Sequence, residues 1–179
     1  MDINVRIDEG CAAHPFLLWD TIWNDDEGSG DWALADASET QNRGGLSARA
    51  ALATAVELAL FTDKACPPDH PLAKFADGDP RGWWGDGIDV RRDLGERPLG
   101  SLLWLLERSV VDADTTRWAD SFALEALQPL IDQGAAVAAT SKAALLPRRN
   151  GLTLPVALIG RAGSKIYDRR FDIVWRQVR

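Results

Sequence analysis

The sequence predicts an α+β domain: three helices packed on one face of a small antiparallel sheet that ends in a C-terminal three-strand meander. Three observations predict it. Residues 47–63 carry apolar side chains at helical spacing. After Gly134 the apolar period drops to two. Leu152, Leu154, Val156 and Leu158 then share one face, and so do Tyr167, Phe171, Ile173 and Trp175. Finally, 46% of the 179 residues are hydrophobic, enough for a core and suited to a single domain over 1–179.

The elements follow in order. "INVRI" (3–7) alternates and reads as a short strand, and "PFLLWDTIW" (15–23) as a second. The acidic turn "NDDEGSGDWAL" then leads Trp32 and Leu34 into another extended piece. "SARAALATAVELALFTD" (47–63) is the clearest helix. Ser47 can cap it, and Leu52, Val56 and Leu60 repeat along one side. Residues 64–97 break all periodicity and form a long loop rich in glycine and tryptophan, a length that is usually functional. "LGSLLWLLERS" reads as a short helix buried on most sides. A third helix, "TTRWADSFALEALQPLIDQG", is expected to start on Asp114, bend at Pro129 and stop at Gly134, with Trp118 stacked on Phe122 and with Leu124, Leu127 and Ile131 facing the core. The three meander strands lie in 135–146, 152–160 and 165–175. Pro147 and Pro155 predict at least one edge strand, because proline donates nothing to a ladder.

A formal charge of −7 argues against nucleic acid and against anionic membranes as partners. No apolar run approaches the roughly 20 residues that span a bilayer. The start "MDINVRIDEG" lacks the basic and apolar regions of a signal peptide, so a cytoplasmic chain is expected. Eight tryptophans raise the odds of partner binding, since tryptophan anchors interface centres. Trp104, Trp118 and Trp175 fall on apolar faces and are expected in the core. Trp83 and Trp84 instead sit between glycines in "DPRGWWGDGIDV" (79–90). They either plug the core or anchor a partner, with Arg81 and Asp86 as flanking polar contacts.

Motifs for chemistry are sparse. There is no phosphate loop, dinucleotide fingerprint, HExxH or GxSxG. Cys11-x-x-His14 and Cys66-x-x-x-His70 use every cysteine and histidine and have zinc-like spacing, but lack finger context. Two buried thiols and two surface histidines are the plainer reading. Asp25, Glu27, Ser29, Gly30 and Asp36 fall near EF-hand offsets without a terminal glutamate or flanking helices, and read as a solvated turn. No metal or cofactor is expected. Asp86, Asp89, Glu107 and Glu125 could supply an acid and a base to a glycosidase, although 27 acidic residues produce such pairs by chance.

The order of "GDWAL" (30–34), "TAVELALFTD" (54–63), "RGWWGD" (81–86), "GSLLWLLERS" (100–109), "RWADSFALEALQPLID" (117–132) and "RFDIVW" (170–175) resembles the Mu-like phage baseplate wedge family. That family is related to the lysozyme-like small wedge protein of T4-type contractile tails. The resemblance covers about residues 30–178, leaving residues 1–29 as an N-terminal extension. It implies a non-enzymatic wedge component, six copies per baseplate, assembled in the host cytoplasm and carried in the mature tail. Implied partners are larger wedge proteins, central hub or spike proteins and the first sheath ring, whose strands would add to the sheet. The label "lysozyme-like" implies the alternative, a peptidoglycan-cleaving enzyme with paired carboxylates. T4-type relatives carry a Glu-Pro-Arg motif where the last helix meets the sheet. Here that place reads "LIDQGAA" (130–136), with Asp132 a partial stand-in. The partner-binding residues expected are therefore Arg81, Trp83, Trp84, Asp86 and Asp132.

Overall fold

The computed structural model describes residues 21–24, 29–32, 34, 51–88, 90–94, 96–109, 112–146 and 151–174. The strand expected at 3–7, the Ser47 cap, Cys11, His14, Asp25, Glu27, Asp36, Asp89, Pro147 and Trp175 lie outside them. Strands β1 (Thr21–Asn24) and β2 (Ser29–Trp32) pair antiparallel, with Thr21 opposite Trp32. Helix α1 (Ala51–Phe61) buries Leu52, Val56, Ala59 and Leu60. Helix α2 (Ala113–Asp132) buries Ala119, Phe122, Ala123, Ala126, Leu127 and Leu130.

The α+β class stands, but among the described residues two α-helices and a four-strand antiparallel sheet replace three helices and a three-strand meander. The segment expected as the middle helix is a six-residue 3₁₀ helix, Leu103–Arg108. A piece this short cannot recover the cost of α-helix nucleation. The tighter 3₁₀ turn, with Leu105 N–H donating to Leu102 O at 3.0 Å, lets Leu102, Leu103, Trp104, Leu105 and Leu106 all be buried. Such all-round burial carries no amphipathic period to separate the two helix types.

Two details of α2 also differ. Its cap is Asp112, not Asp114. The Asp112 carboxylate accepts the N–H groups of Asp114 and Thr115, both at 2.9 Å, and Thr115 Oγ1 accepts the Asp112 N–H. Leu124 is 37% exposed, while Leu127 and Leu130 carry the core stripe. Pro129 sits in the last turn, where the helix still reaches Asp132. Gly134, at φ +79, ends it.

The sheet is built around β5 (Gly151–Ile159). β6 (Lys165–Val174) pairs along one side of it. β3 (Ala138–Ser141) and β4 (Ala144–Leu145) share the other side in one continuous register, Ser141 opposite Val156 and Ala144 opposite Thr153. Lys142 and Ala143 therefore fall opposite Pro155 and Leu154 without a ladder bond. Asp120 of α2 lies beside the break. Its Oδ1 accepts Ser141 Oγ at 2.6 Å and the Ala143 N–H at 2.7 Å. Pro155 thus sits in the central strand, not on an edge, and the neighbouring strand is interrupted where proline has no N–H to offer.

Leu152, Leu154, Val156 and Leu158 are fully buried on the sheet face that meets the helices, and Tyr167 is buried with them. Asp120→Ala is expected to cost about 2 kcal/mol, because a charge-assisted acceptor of two bonds is lost. Urea denaturation would check this, together with faster amide exchange at Ala143.

Candidate functional site

The long loop begins and ends at one place. Beyond α1, Asp63 and Ser101 form a parallel bridge, with Ser101 N–H donating to Thr62 O at 2.9 Å and Lys64 N–H to Ser101 O at 3.0 Å. Ser101 Oγ reaches back to Leu60 O. Gly100, at φ +109, permits the approach: a Cβ there would lie 2.5 Å from Thr62 O.

Arg81 ties the middle of the loop to this base. Its backbone is left-handed, at φ +51, held by donation of its N–H to Asp79 Oδ1 at 2.9 Å. Its guanidinium bonds Asp63 Oδ2 at 3.1 Å and Glu107 Oε2 at 3.3 Å, and lies 4.7 Å from the centre of the Trp104 ring. Partial burial pulls the Arg81 pKa down, but the hydrogen bonds and charges of Asp63 and Glu107 outweigh it and hold the group above its ordinary value. Trp104 is fixed in turn by its Nε1–H, which donates to Lys64 O at 2.9 Å. Cys66 N–H donates to Pro80 O at 2.9 Å, closing the same clamp.

Above the clamp stands a compact double turn. Asp86 N–H donates to Trp83 O at 2.9 Å, and Ile88 N–H to Gly85 O at 3.1 Å. The Asp86 side chain turns inward and accepts the Ala65 N–H at 2.7 Å. The two tryptophans, expected to act together, are placed differently. Trp83 is half-buried under Gly85, where any added Cβ would strike its ring, and its Nε1 is buried without an acceptor among the described residues. Trp84 packs edge-on against it, ring centres 5.4 Å apart, and is 88% exposed. Ile88, 57% exposed, stands on the same turn.

The structure brings Arg81, Trp83, Trp84 and Asp86 into one unit. Asp132 belongs to another, at the end of α2, where it accepts Gln128 Nε2 at 2.7 Å and lies 3.8 Å from Arg97 Nε. Sequence reasoning missed Asp63, Glu107 in its clamp role, Gly100 and Ile88. Among 27 acids nothing marks which two will meet an arginine. The isoleucine was legible, lying at the end of the same glycine-rich stretch.

The carboxylates weighed for catalysis have partners of their own. Asp86 bonds Ala65, Glu107 bonds Arg81, and Glu125 Oε1 accepts Lys64 Nζ at 2.7 Å. A cleft between Phe75, Ala76, Asp79, Arg81 and Trp104 encloses about 90 Å³, small against the roughly 300–1,000 Å³ of ligand pockets.

Of the zinc candidates, Cys66 is buried and donates Sγ–H to Pro67 O at 3.4 Å. His70 accepts the Leu72 N–H on Nδ1 at 3.1 Å, its ring against Trp118 and Phe122 at 5.5 and 5.6 Å. Among the described residues no three His, Cys, Asp or Glu side chains form a metal-holding group. Burial, then the nearby Asp69 charge, pushes the Cys66 thiol above its ordinary value. Alkylation of Cys66 at neutral pH is therefore expected to be at least about tenfold slower in the native protein than in urea, read by mass spectrometry of its peptide.

Residues 52–165 match the family model described as "Phage protein GP46". Over 115 residues the chain is 40% identical to "Baseplate protein gp46" of Escherichia phage Mu, covering 64% of this chain and 74% of that protein. No solved structure matches.

Proposed function

We propose a function that starts from membership: the chain belongs to the phage protein GP46 family, and it is a structural component of a phage-type tail baseplate. More finely, it is a subunit of the wedge of a contractile tail, present in six copies, assembled in the host cytoplasm and retained in the mature baseplate. Its partners are larger wedge proteins, central hub or spike proteins and the first sheath ring, which adds strands to its sheet. The likeness to the Mu baseplate protein supports the baseplate role.

One observation carries the docking part. Trp84 is 88% exposed on a turn whose base is fixed by Asp86, Cys66 and Arg81. A large aromatic group presented from a fixed turn loses little backbone entropy when it enters a partner's pocket. Arg81, Trp83 and Asp86 hold that anchor in place, and Asp132 contributes a separate polar contact. The reading includes no catalytic step, in keeping with the engaged state of Asp86, Glu107 and Glu125.

The test is co-purification of the tagged chain, expressed among its neighbouring tail proteins, with mass spectrometry of what accompanies it. A larger baseplate subunit in fixed ratio is the expected result. Recovery of the chain alone, while other tail subcomplexes form, would overturn the reading.

A further inference from the structure

The tryptophans around the clamp hold their indole N–H groups in different ways. Trp104 is buried, and its Nε1–H donates to the Lys64 carbonyl at 2.9 Å. Trp83 is half-buried, and among the described residues its buried Nε1–H has no acceptor. Trp84 is 88% exposed, so water serves its donor in the free chain. That last arrangement ends once a partner covers the ring.

An indole is a costly anchor if apolar area is all that docking needs. When the ring enters a dry pocket its N–H gives up water, and an unmet donor there cancels much of what burial gains. Leucine or phenylalanine would carry no such cost. The surroundings narrow the kind of acceptor. Ile88, 57% exposed on the same turn, adds apolar surface. Between the two, Gly87 has φ +78 and nothing within 4 Å of where a Cβ would stand, so a partner's main chain can come close. The stretch 83–88 holds no cation, and Arg81 is engaged by Asp63 and Glu107. A partner carboxylate buried here would meet no counter-charge on the turn, in a chain of formal charge −7. A neutral carbonyl meets no such penalty.

We propose that Trp84 enters an apolar slot on another baseplate subunit and that its Nε1–H donates there to a main-chain carbonyl oxygen, the same pairing that Trp104 makes with Lys64. The proposal rests on the docking role given to Trp84 above and adds what the partner must contain. The ring supplies the buried area. The hydrogen bond supplies orientation, because only one edge of an indole carries a donor. A slot built this way rejects a ring of the same outline that lacks the N–H, since its own carbonyl is then left unpaired.

The experiment expresses a tagged chain together with the untagged, unaltered chain and the other tail proteins, then measures the ratio of the two chains in purified tail particles. A tagged unaltered chain gives the reference ratio. Benzothienylalanine placed at position 84 keeps the bicyclic outline and puts sulfur where the N–H stands. It is expected to enter particles about tenfold less than the reference. Trp84→Ala, which loses ring and donor together, is expected to fall by about 30-fold or more. Urea midpoints of both variants should match that of the unaltered chain, which assigns the losses to docking. Entry of the benzothienyl chain at the reference ratio, with Trp84→Ala excluded, overturns the carbonyl and leaves docking by Trp84 standing. Entry of both at the reference ratio overturns the docking role and the proposal with it. A fall in midpoint that tracks the loss of entry would make the ring a folding residue and overturn the proposal as well.

Discussion

Replacing Gly100 with alanine is expected to lower the stability of the protein by about 3 kcal/mol or more, among the largest effects of any single methyl group in the chain. Two costs add. An L-residue at φ +109 is strained by about 1–3 kcal/mol. The new Cβ would also lie 2.5 Å from Thr62 O, which is backbone and cannot swing aside. That carbonyl accepts Ser101 N–H at 2.9 Å, and the Thr62 N–H is itself bonded to Leu58 O at 3.1 Å. Relief therefore requires parting the Asp63–Ser101 bridge, which also carries Lys64, the acceptor for Trp104. Urea denaturation followed by tryptophan fluorescence would measure the loss. A change below about 1 kcal/mol would mean that the bridge is softer than its geometry implies.

Gly100 also illustrates what the sequence could convey. Local rules were enough for α1, β5 and β6, because period and propensity agree there, but not for 135–146, which splits into β3 and β4. Trp118 and Phe122, four residues apart, do stack, with ring centres 5.5 Å apart and planes 30° from parallel. Trp104 is buried, as its apolar surroundings suggest. The failures came where a distant residue decides the outcome. Pro155 pointed to an edge strand, yet it lies in the central strand, where the neighbouring strand breaks opposite it and Asp120, far away on α2, holds the Ala143 N–H beside the break. Asp112 outcompetes Asp114 as a cap because its carboxylate reaches both first-turn N–H groups, a difference of two positions that composition does not resolve.

The candidate site was half legible, and for a similar reason. Dense glycine placed Trp83 and Trp84 on a loop, but two adjacent tryptophans look alike in sequence. What separates them is the double turn. It aims Trp83 under Gly85 and Asp86 at Ala65, leaving Trp84 outside. Arg81 was noted as a flanking contact for a partner. Its guanidinium also bonds Asp63 and Glu107 and lies over the face of Trp104, contacts that no local pattern in the sequence marks.

That division of labour leads to the second large effect. Trp84→Ala is expected to leave the fold nearly intact, since a side chain 88% exposed gives up little burial and its edge-on contact with Trp83 is worth about 1 kcal/mol. Binding to the baseplate partner should weaken by about 2 kcal/mol or more, roughly 30-fold in Kd, as for a truncated aromatic anchor at an interface centre. Trp83→Ala should behave in the opposite order. It removes the packing beneath Gly85, so stability falls first and binding is lost only as the turn loosens. Arg81→Met lies between the two, because losing the clamp to Asp63 and Glu107 frees the turn without touching Trp84. Measuring denaturation midpoints and partner recovery for all three separates an anchor from its support. If Trp84→Ala binds the partner like the unaltered chain, the exposed ring is not the contact, and the docking surface lies elsewhere on the molecule. If Trp84→Ala loses binding while its midpoint holds, the glycine-rich loop exists to present that one side chain.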